Sequence, residues 1–230
     1  TLELLNQLFT PGNISVETNP DRLEPGMLSA LAGARVRRVS VGVQTFDDAI
    51  LKLIDRYDKY GSGAQIAERI RAAQGIVQTL NIDMIYNFPV QTMEQLKSDL
   101  EVLNRLKPDQ ITVYPLMISD ATLSDMTGIM GRHSLKRERR YYETITRSLV
   151  AEYRPGSAWC FSRSSGMIDE YIVTHDEYVG AGSGAFGLVG GAIYANTFSI
   201  PEYIRTVREG RLPLKARKLF SARELARYTF

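Results

Sequence analysis

Short apolar runs alternate with longer helical patterns along the first half of the chain, and this alternation constrains the fold more than any other feature. Runs rich in β-branched and apolar residues predict four strands, at residues 14–17, 39–43, 82–86 and 111–114. Between the last two runs, Thr92 and Gln95 form a capping box that opens a helix, which ends before Pro108. Repeated strand–helix–strand units connect right-handed and produce a parallel sheet. The sequence therefore predicts an α/β fold, either an open doubly wound sheet or part of a TIM-like (β/α) barrel.

The regular alternation ends in the second half of the chain. Residues 134–153 predict one long helix whose inward side carries Leu135, Tyr142, Ile145 and Leu149. Residues 177–194 are rich in glycine and small side chains. No repeat, low-complexity tract or linker divides the sequence, so we expect one domain. Within it, residues 1–155 hold the regular core and residues 156–230 a less regular α+β segment.

Composition and charge favour a globular protein. Of the 230 residues, 44% are hydrophobic and 23% are charged. There are 28 Lys and Arg residues and 26 Asp and Glu residues. A formal net charge of +2 gives no electrostatic reason to expect a nucleic-acid or membrane partner. No apolar run approaches the roughly 20 residues that span a bilayer, and the first residues lack the pattern of a signal peptide. These features predict a cytoplasmic location.

The chain contains one cysteine, Cys160. One thiol cannot form an internal disulfide, a four-cysteine zinc site or a three-cysteine iron–sulfur site. The two histidines, His133 and His175, are about 40 residues apart, and two isolated imidazoles do not make a metal site. We therefore predict no metal site within these residues.

Polar residues stand at or near the carboxyl ends of the predicted strands. Glu17 ends the first strand, Gln44 the second, and Asp83 interrupts the apolar third. Carboxyl ends of parallel strands meet at one ligand-binding edge. A buried carboxylate needs a partner or a ligand hydroxyl, and Arg56 is suited to pair with it or with a ligand carboxylate. The alternative is that each polar residue caps a helix or orders a loop, and that Arg56 is a solvated helix residue.

Two further motifs have competing interpretations. Gly180, Gly182 and Ala185 fit the spacing of a dinucleotide-binding fingerprint, but the glycines that follow disfavour the helix such a motif must open. The alternative is a tight turn that needs glycine for backbone freedom. Residues 132–140 are basic, but their charges lie opposite an apolar stripe, as in any solvated amphipathic helix. We therefore expect neither a dinucleotide nor a nucleic-acid site.

Three segments occur in this order: residues 38–46 with Arg56 following, residues 81–86 with Pro89, Gln91 and Thr92, and residues 107–114. Together they resemble the radical S-adenosylmethionine (SAM) enzymes of the oxygen-independent coproporphyrinogen III oxidase family. Glu17 also falls where that family has an acidic residue at the end of a barrel strand. The resemblance implies a partial radical SAM (β/α) barrel and a set of SAM contacts. Asp83 and Glu17 would bind the ribose hydroxyls, Arg56 the methionine carboxylate, and Met117 the adenine through its backbone; Gln44 and Phe186 complete the set, Phe186 by stacking.

The family holds a 4Fe–4S cluster with a three-cysteine loop on its first barrel strand, and these residues contain no such motif. The resemblance therefore implies that the first strands precede Thr1, that both ends are truncated and that the cluster belongs to the full-length protein only. Residues 1–155 would then be a barrel core without its first strands. Residues 156–230 would hold a remaining barrel strand, loops and the start of the C-terminal region. An open sheet edge would let such a fragment self-associate, and we expect it to be inactive alone.

Details of the motifs bear on the substrate. The family's usual Gly-Leu-Pro is replaced here by Asn87, Phe88 and Pro89, a pattern that resembles the haem-utilisation branch. That branch opens the haem ring anaerobically by radical methyl transfer, with an electron-donor protein as partner. Two alternatives stay open: oxidative decarboxylation of coproporphyrinogen III, and a non-catalytic haem-binding or haem-trafficking protein. Trp159 and Phe161 are candidates to stack on a tetrapyrrole, although such aromatics more often belong to the core.

Overall fold

The computed structural model describes residues 2–117, 134–164 and 177–229. Contacts divide the chain into two compact units, residues 1–169 and 170–230. Within the described residues, no helix is long and apolar enough to cross a membrane. His133 and His175 lie outside the described residues.

The first unit contains six strands and seven α-helices in its described part. The strands are β1 (Ile14–Thr18), β2 (Val36–Gln44), β3 (Thr79–Tyr86), β4 (Gln110–Pro115), β5 (Arg154–Pro155) and β6 (Cys160–Ser162). The helices are α1 (Leu2–Leu8), α2 (Pro25–Gly33), α3 (Asp48–Leu53), α4 (Tyr57–Tyr60), α5 (Gly63–Ala73), α6 (Met93–Leu106) and α7 (Leu135–Leu149), with a short 3-10 turn at Pro20–Arg22.

The six strands form one sheet in the order β1-β2-β3-β4-β6-β5. Strands β1 to β4 are parallel, whereas β6 pairs antiparallel with both β4 and β5. The predicted α/β class and the four predicted strands are confirmed, each strand with slightly wider bounds. The boundary expected at residue 155 falls between β5 and β6, which pair with each other, and the compact unit continues to residue 169.

The two faces of this sheet differ in chemistry because side chains alternate along each strand. One face is apolar and fully buried; it includes Val39, Val41, Leu80, Ile82 and Ile111. The apolar sides of the helices contribute to the same core cluster, with residues such as Leu28, Ile66, Leu100 and Ile145. The other face is polar, with Arg38, Ser40, Asn81, Gln110 and Thr112 all buried.

The helices follow the expected caps, with one correction. The capping box of Thr92 and Gln95 opens α6, and Lys107 ends it in a left-handed conformation with a φ of 49°. In α7, Ile145 and Leu149 are buried as predicted, but Leu135 is 75% exposed and Tyr141 is buried. The prediction of Leu135 as inward was wrong: it is the first residue of the helix, and none of the described elements buries it. Tyr142, also predicted inward, is half-buried.

The second unit holds a three-stranded antiparallel sheet and two helices in its described part: β7 (Phe186–Val189), β8 (Ala192–Asn196), α8 (Ile200–Arg208), β9 (Leu214–Leu219) and α9 (Ala222–Thr229). The glycine segment that fits the dinucleotide spacing leads into β7 and opens no helix. A Cβ at Gly180 would lie 2.0 Å from the Phe186 carbonyl oxygen, so glycine is required there by close backbone approach. The tight-turn interpretation therefore accounts for this segment.

Candidate functional site

The polar face of the first sheet is organised in two rows that cross neighbouring strands. In one row, Glu17 of β1 lies beside Ser40 of β2, which lies beside Asn81 of β3. In the next row towards the carboxyl ends, Gly42 lies beside Asp83, and Asp83 beside Thr112 of β4. Parallel register thus places polar groups from four strands on a common surface.

Arg38 ties these strands together. Its side chain is 1% exposed and is the largest of the fully buried side chains. Nε donates to Oε1 of Gln110 at 2.8 Å, Nη1 donates to Oγ of Ser15 at 3.0 Å, and Nη2 donates to Oγ of Ser40 at 3.4 Å. Such hydrogen bonds offset the cost of burying a guanidinium group. Arg38 is therefore the centre of a buried hydrogen-bond network that connects β1, β2 and β4.

The Asp83 carboxylate is held by two neighbours. Ser40 Oγ donates to Oδ2 of Asp83 at 2.6 Å, and Asn81 Nδ2 donates to Oδ1 at 2.7 Å. Thr112 Oγ1 donates to Oδ1 of Asn81 at 3.0 Å, which fixes the orientation of the Asn81 amide. Asp83 is therefore a half-buried carboxylate of defined orientation, with each oxygen accepting at least one hydrogen bond.

Gly42 carries no side chain beside Asp83, and we call the position of the missing side chain the gap. A Cβ there would lie 3.1 Å from Nε2 of Gln44, 3.7 Å from Nη2 of Arg56 and 3.7 Å from the Thr18 carbonyl oxygen, so the Gln44 amide already occupies part of this position. The register shifts between Gly42 and Gln44, and Gln44 adopts a φ of 75°. This irregularity at the strand end brings the Gln44 amide close to Gly42. The Gln44 amide and the Arg56 guanidinium thus converge on Gly42, and Asp83 is its register neighbour on β3.

Arg56 immediately precedes α4 and is fixed at one end of its guanidinium. Nη2 donates to the Gly42 carbonyl oxygen and to Oδ1 of Asn19, the latter at 3.2 Å, and the group stacks 4.5 Å from the ring centre of Tyr60. Nε is buried and has no hydrogen-bond partner in the part of the chain that the structure describes. Burial lowers the pKa of Arg56 from its ordinary value, but an arginine stays protonated. A buried cationic donor without a partner fits an anionic ligand group.

The remaining predicted residues belong to different elements of the fold. Glu17 is exposed at the carboxyl end of β1, in the row that contains Ser40. Met117 follows β4 by two residues and is 63% exposed. Phe186 belongs to the second unit, where it is 52% exposed and its ring lies 6.2 Å from that of Phe198. The structure therefore groups Glu17, Gln44, Arg56 and Asp83 on the polar face of the first unit.

The two aromatic candidates separate in the structure. Phe161 is fully buried in the apolar core, so its side chain cannot contact a ligand on the polar face. Trp159 is half-buried, and its ring lies 5.7 Å from that of Tyr114 at an angle of 58°. Tyr114 lies beside Ile85, two residues beyond Asp83 along β3. The aromatic pair therefore stands near the carboxyl end of the sheet.

The loop after β3 explains the unusual Asn87. This residue has a φ of 66°, a left-handed conformation that asparagine tolerates better than most residues do. Arg137 of α7 donates to Oδ1 of Asn87 at 2.8 Å and to the Pro89 carbonyl oxygen at 2.7 Å. Asparagine therefore meets the backbone requirement that glycine would meet and also gains a side-chain bond to α7.

Sequence reasoning missed Asp99, an acid of α6 that is 3% exposed. Its carboxylate accepts hydrogen bonds from the backbone N–H of Phe46 and from Oγ1 of Thr45, both at 2.8 Å, and so anchors the loop that follows Gln44. Burial raises the pKa of Asp99 to about 7. Its position on the apolar stripe between Leu96 and Leu103 was a signal that could have indicated burial.

A family model and a solved structure indicate the class of protein. Residues 3–103, which include β1 to β3 and most of α6, match the model of the Radical SAM superfamily. The solved structure of coproporphyrinogen III oxidase (HemN) from Escherichia coli, a radical SAM enzyme, has a similar fold over 96% of this chain and 55% of its own chain, with a TM-score of 0.78 and 22% identity. Residues 3–103 therefore match a radical SAM domain, which confirms the resemblance found in the sequence.

The curated relatives of this chain include two kinds of protein. The heme chaperone HemW of Lactococcus lactis subsp. lactis is 32% identical over 83% of this chain and 52% of its own length. The oxygen-independent coproporphyrinogen III oxidase of Paracoccus denitrificans is 24% identical over 91% of this chain and 50% of its own length. The chain thus spans about half the length of the curated relatives it matches.

Proposed function

We propose that this chain is the SAM-binding part of a radical SAM protein that handles haem or a related tetrapyrrole. The observation that carries the proposal is the gap at Gly42, with the Gln44 amide, the Arg56 guanidinium and the Asp83 carboxylate around it. These three groups complement the polar groups of SAM, and the buried Nε of Arg56 needs an acceptor.

Each residue has a role in holding the cofactor. Asp83 accepts hydrogen bonds from ribose hydroxyls, with Glu17 as a second acceptor, because carboxylates pair with vicinal hydroxyls. Arg56 binds the methionine carboxylate. Gln44 contributes its side-chain amide as a further polar contact, and Met117 contributes its backbone to the adenine. Stacking by Phe186 stays a prediction from the sequence. When bound beside a reduced iron–sulfur cluster, SAM supplies one-electron radical chemistry.

The residues of this chain do not fit the cluster itself. Cys160 is its only cysteine and is buried at the start of β6. Among the described residues, no group of three or more His, Cys, Asp or Glu side chains is placed to hold a metal ion. We therefore derive no step through the cluster from these residues and propose that its ligands belong to the full-length protein.

Reconstitution of this 230-residue chain with iron and sulfide is expected to leave it without a stoichiometric cluster, because one thiolate cannot hold one. Absorbance in the visible charge-transfer region and iron and sulfide analysis after desalting would measure this. The Cys160→Ala variant is the control for non-specific iron. One cluster per chain in the original protein but not in the variant would contradict the expectation.

A haem-binding role has the best support among the three tetrapyrrole functions. The 32% identical relative is a heme chaperone, and the half-buried Trp159 beside Tyr114 offers a flat aromatic surface near the carboxyl end of the sheet. Coproporphyrinogen III oxidation is the second candidate, supported by the relative of 24% identity. Radical methyl transfer to haem, with an electron-donor protein as partner, stays a prediction from the sequence.

Titration with haem is expected to give a saturable change in the Soret band together with quenching of Trp159, the only tryptophan. Trp159→Leu should weaken haem binding by about fivefold, because an aromatic contact contributes about 1 kcal/mol beyond its apolar area. Phe161→Leu, which changes a core ring on the apolar face, is the matched control for altered packing. Saturable binding of coproporphyrin III without haem binding would favour the oxidase function instead.

A further inference from the structure

Ser40 stands between a buried cation and the Asp83 carboxylate. Its side chain is fully buried, and its hydroxyl oxygen lies 2.6 Å from Oδ2 of Asp83, 2.7 Å from Nδ2 of Asn81 and 3.4 Å from Nη2 of Arg38. A hydroxyl has one hydrogen to donate and two lone pairs that accept. Arg38 and Asn81 carry only donors at these atoms, so the single Ser40 hydrogen is directed to Asp83.

The direction of these bonds gives the contact its electrostatic effect. A hydroxyl that accepts a hydrogen bond from a cation is polarised and becomes a stronger donor to its own acceptor. In a poorly solvated interior, the hydrogen bonds of such a chain therefore strengthen one another. Arg38 is therefore linked to Asp83 through one oxygen atom, that of the Ser40 hydroxyl. Asn81 supports the same arrangement from β3, because its amide donates to both Ser40 and Asp83.

We propose that Ser40 is a positioning residue for the cofactor: it transmits the positive charge of Arg38 to Asp83 and holds that carboxylate ionised and oriented towards the ribose hydroxyls. The inference rests on the proposed SAM site and deepens it. A structural role for the same hydroxyl predicts a change in stability alone, whereas the positioning role predicts a change in how binding depends on pH.

Other charged or titratable groups share this face of the sheet. They are Glu17 from β1, Arg38 from β2, Arg56 at the start of α4, Tyr114 from β4 and Cys160 from β6. Replacing Ser40 by alanine removes none of them. Loss of a donor to a carboxylate favours its protonated form, so in Ser40→Ala the pH below which binding weakens should move upwards.

SAM binding by the Ser40→Ala protein, measured by calorimetry from mildly acidic to mildly basic pH, is the test. We expect affinity at neutral pH to fall about five- to tenfold, the effect of one hydrogen bond of about 1 to 1.4 kcal/mol, and the acidic limb to move to higher pH. Ser15→Ala is the matched control, since Ser15 accepts from Arg38 in the same network but at its far end. It should stay within about twofold of the original protein at every pH.

Several outcomes would overturn the proposal: unchanged affinity in Ser40→Ala, an equal loss in Ser15→Ala, or a loss without any shift of the acidic limb. If Ser40→Ala does not fold, as judged by circular dichroism, Ser40→Cys keeps a similar volume with a weak donor and should show the same shift in smaller degree. In an Asp83→Asn background, Ser40→Ala should add no further loss. Unchanged SAM binding in Asp83→Asn alone would contradict the proposed SAM site itself. Weaker binding in Asp83→Asn together with unchanged binding in Ser40→Ala would contradict only the positioning role of Ser40.

Discussion

Asp83→Asn and Arg56→Ala are each expected to weaken SAM binding by about 10- to 150-fold. Each variant loses charge-assisted hydrogen bonds to the cofactor, and such a bond contributes about 1.5–3 kcal/mol. Asp83→Asn removes the negative charge but keeps the shape of the side chain. Arg56→Ala removes the guanidinium group, whose Nε is buried and unpaired among the described residues. Calorimetric titration of the purified protein with SAM, with far-UV circular dichroism to verify folding, measures both effects.

Matched substitutions outside the gap separate ligand contacts from general effects. Asp109→Asn changes a carboxylate that accepts from the Leu80 N–H at the other end of β3, and Arg37→Ala removes an exposed arginine next to Arg38 in sequence. Both should bind SAM within about twofold of the original protein. Gly42→Val should abolish binding, because its side chain would displace the Gln44 amide and crowd Arg56, while the strand backbone accepts valine there without a positive φ. Unchanged affinity in Asp83→Asn and Arg56→Ala would make these residues structural.

Asp99→Asn is expected to remove a pH dependence of stability from the folded protein. The folded-state pKa of Asp99, about 7, lies above the ordinary value because burial disfavours the charge. Between about pH 4 and pH 7 the folded state therefore holds a proton that the unfolded state has lost. The stabilisation is complete below about pH 4 and is lost as the pH rises through about 7, a decline on the order of a few kcal/mol.

Urea unfolding at about pH 5 and about pH 8, followed by circular dichroism, measures this decline. The original protein should lose more stability between the two pH values than Asp99→Asn, whose amide keeps an acceptor for the Phe46 N–H. Asp99→Ala lacks that acceptor and should be less stable than Asp99→Asn at both pH values by about 1–3 kcal/mol. Parallel stability profiles for the original protein and Asp99→Asn would show that the carboxyl is ionised in the fold at both pH values.

The substitution of Asn87 for the family's usual glycine illustrates the limit of motif comparison. The sequence indicated a particular branch of the family from this motif together with residues 158–163. The structure shows that Asn87 has a positive φ of 66° and accepts a hydrogen bond from Arg137 of α7. Asn87 thus has a local packing role, and this motif by itself does not specify the tetrapyrrole.

Periodicity and caps were sufficient to predict β1 to β4, the helix α6 and the parallel sheet, because these depend on residues near one another in sequence. The positions of Glu17 and Gln44 at or near strand ends, and of Asp83 within β3, followed from the same local pattern. In α7 the pattern was less informative: the apolar stripe that included Leu135 does not show how far a neighbouring element covers the first turn.

Register between strands is a non-local property, and only the tertiary structure decided it. Burial of Arg38 depends on this pairing, because the order β1-β2-β3-β4 places its side chain in a buried network with Ser15 and Gln110. Likewise, the arrangement around Gly42 depends on the tertiary structure. A register shift at the end of β2 brings the Gln44 amide close to Gly42, and the loop before α4 places the Arg56 guanidinium next to it. The local sequence determined which polar residues the strands present, and the packing of distant strands determined how their polar groups are oriented and held.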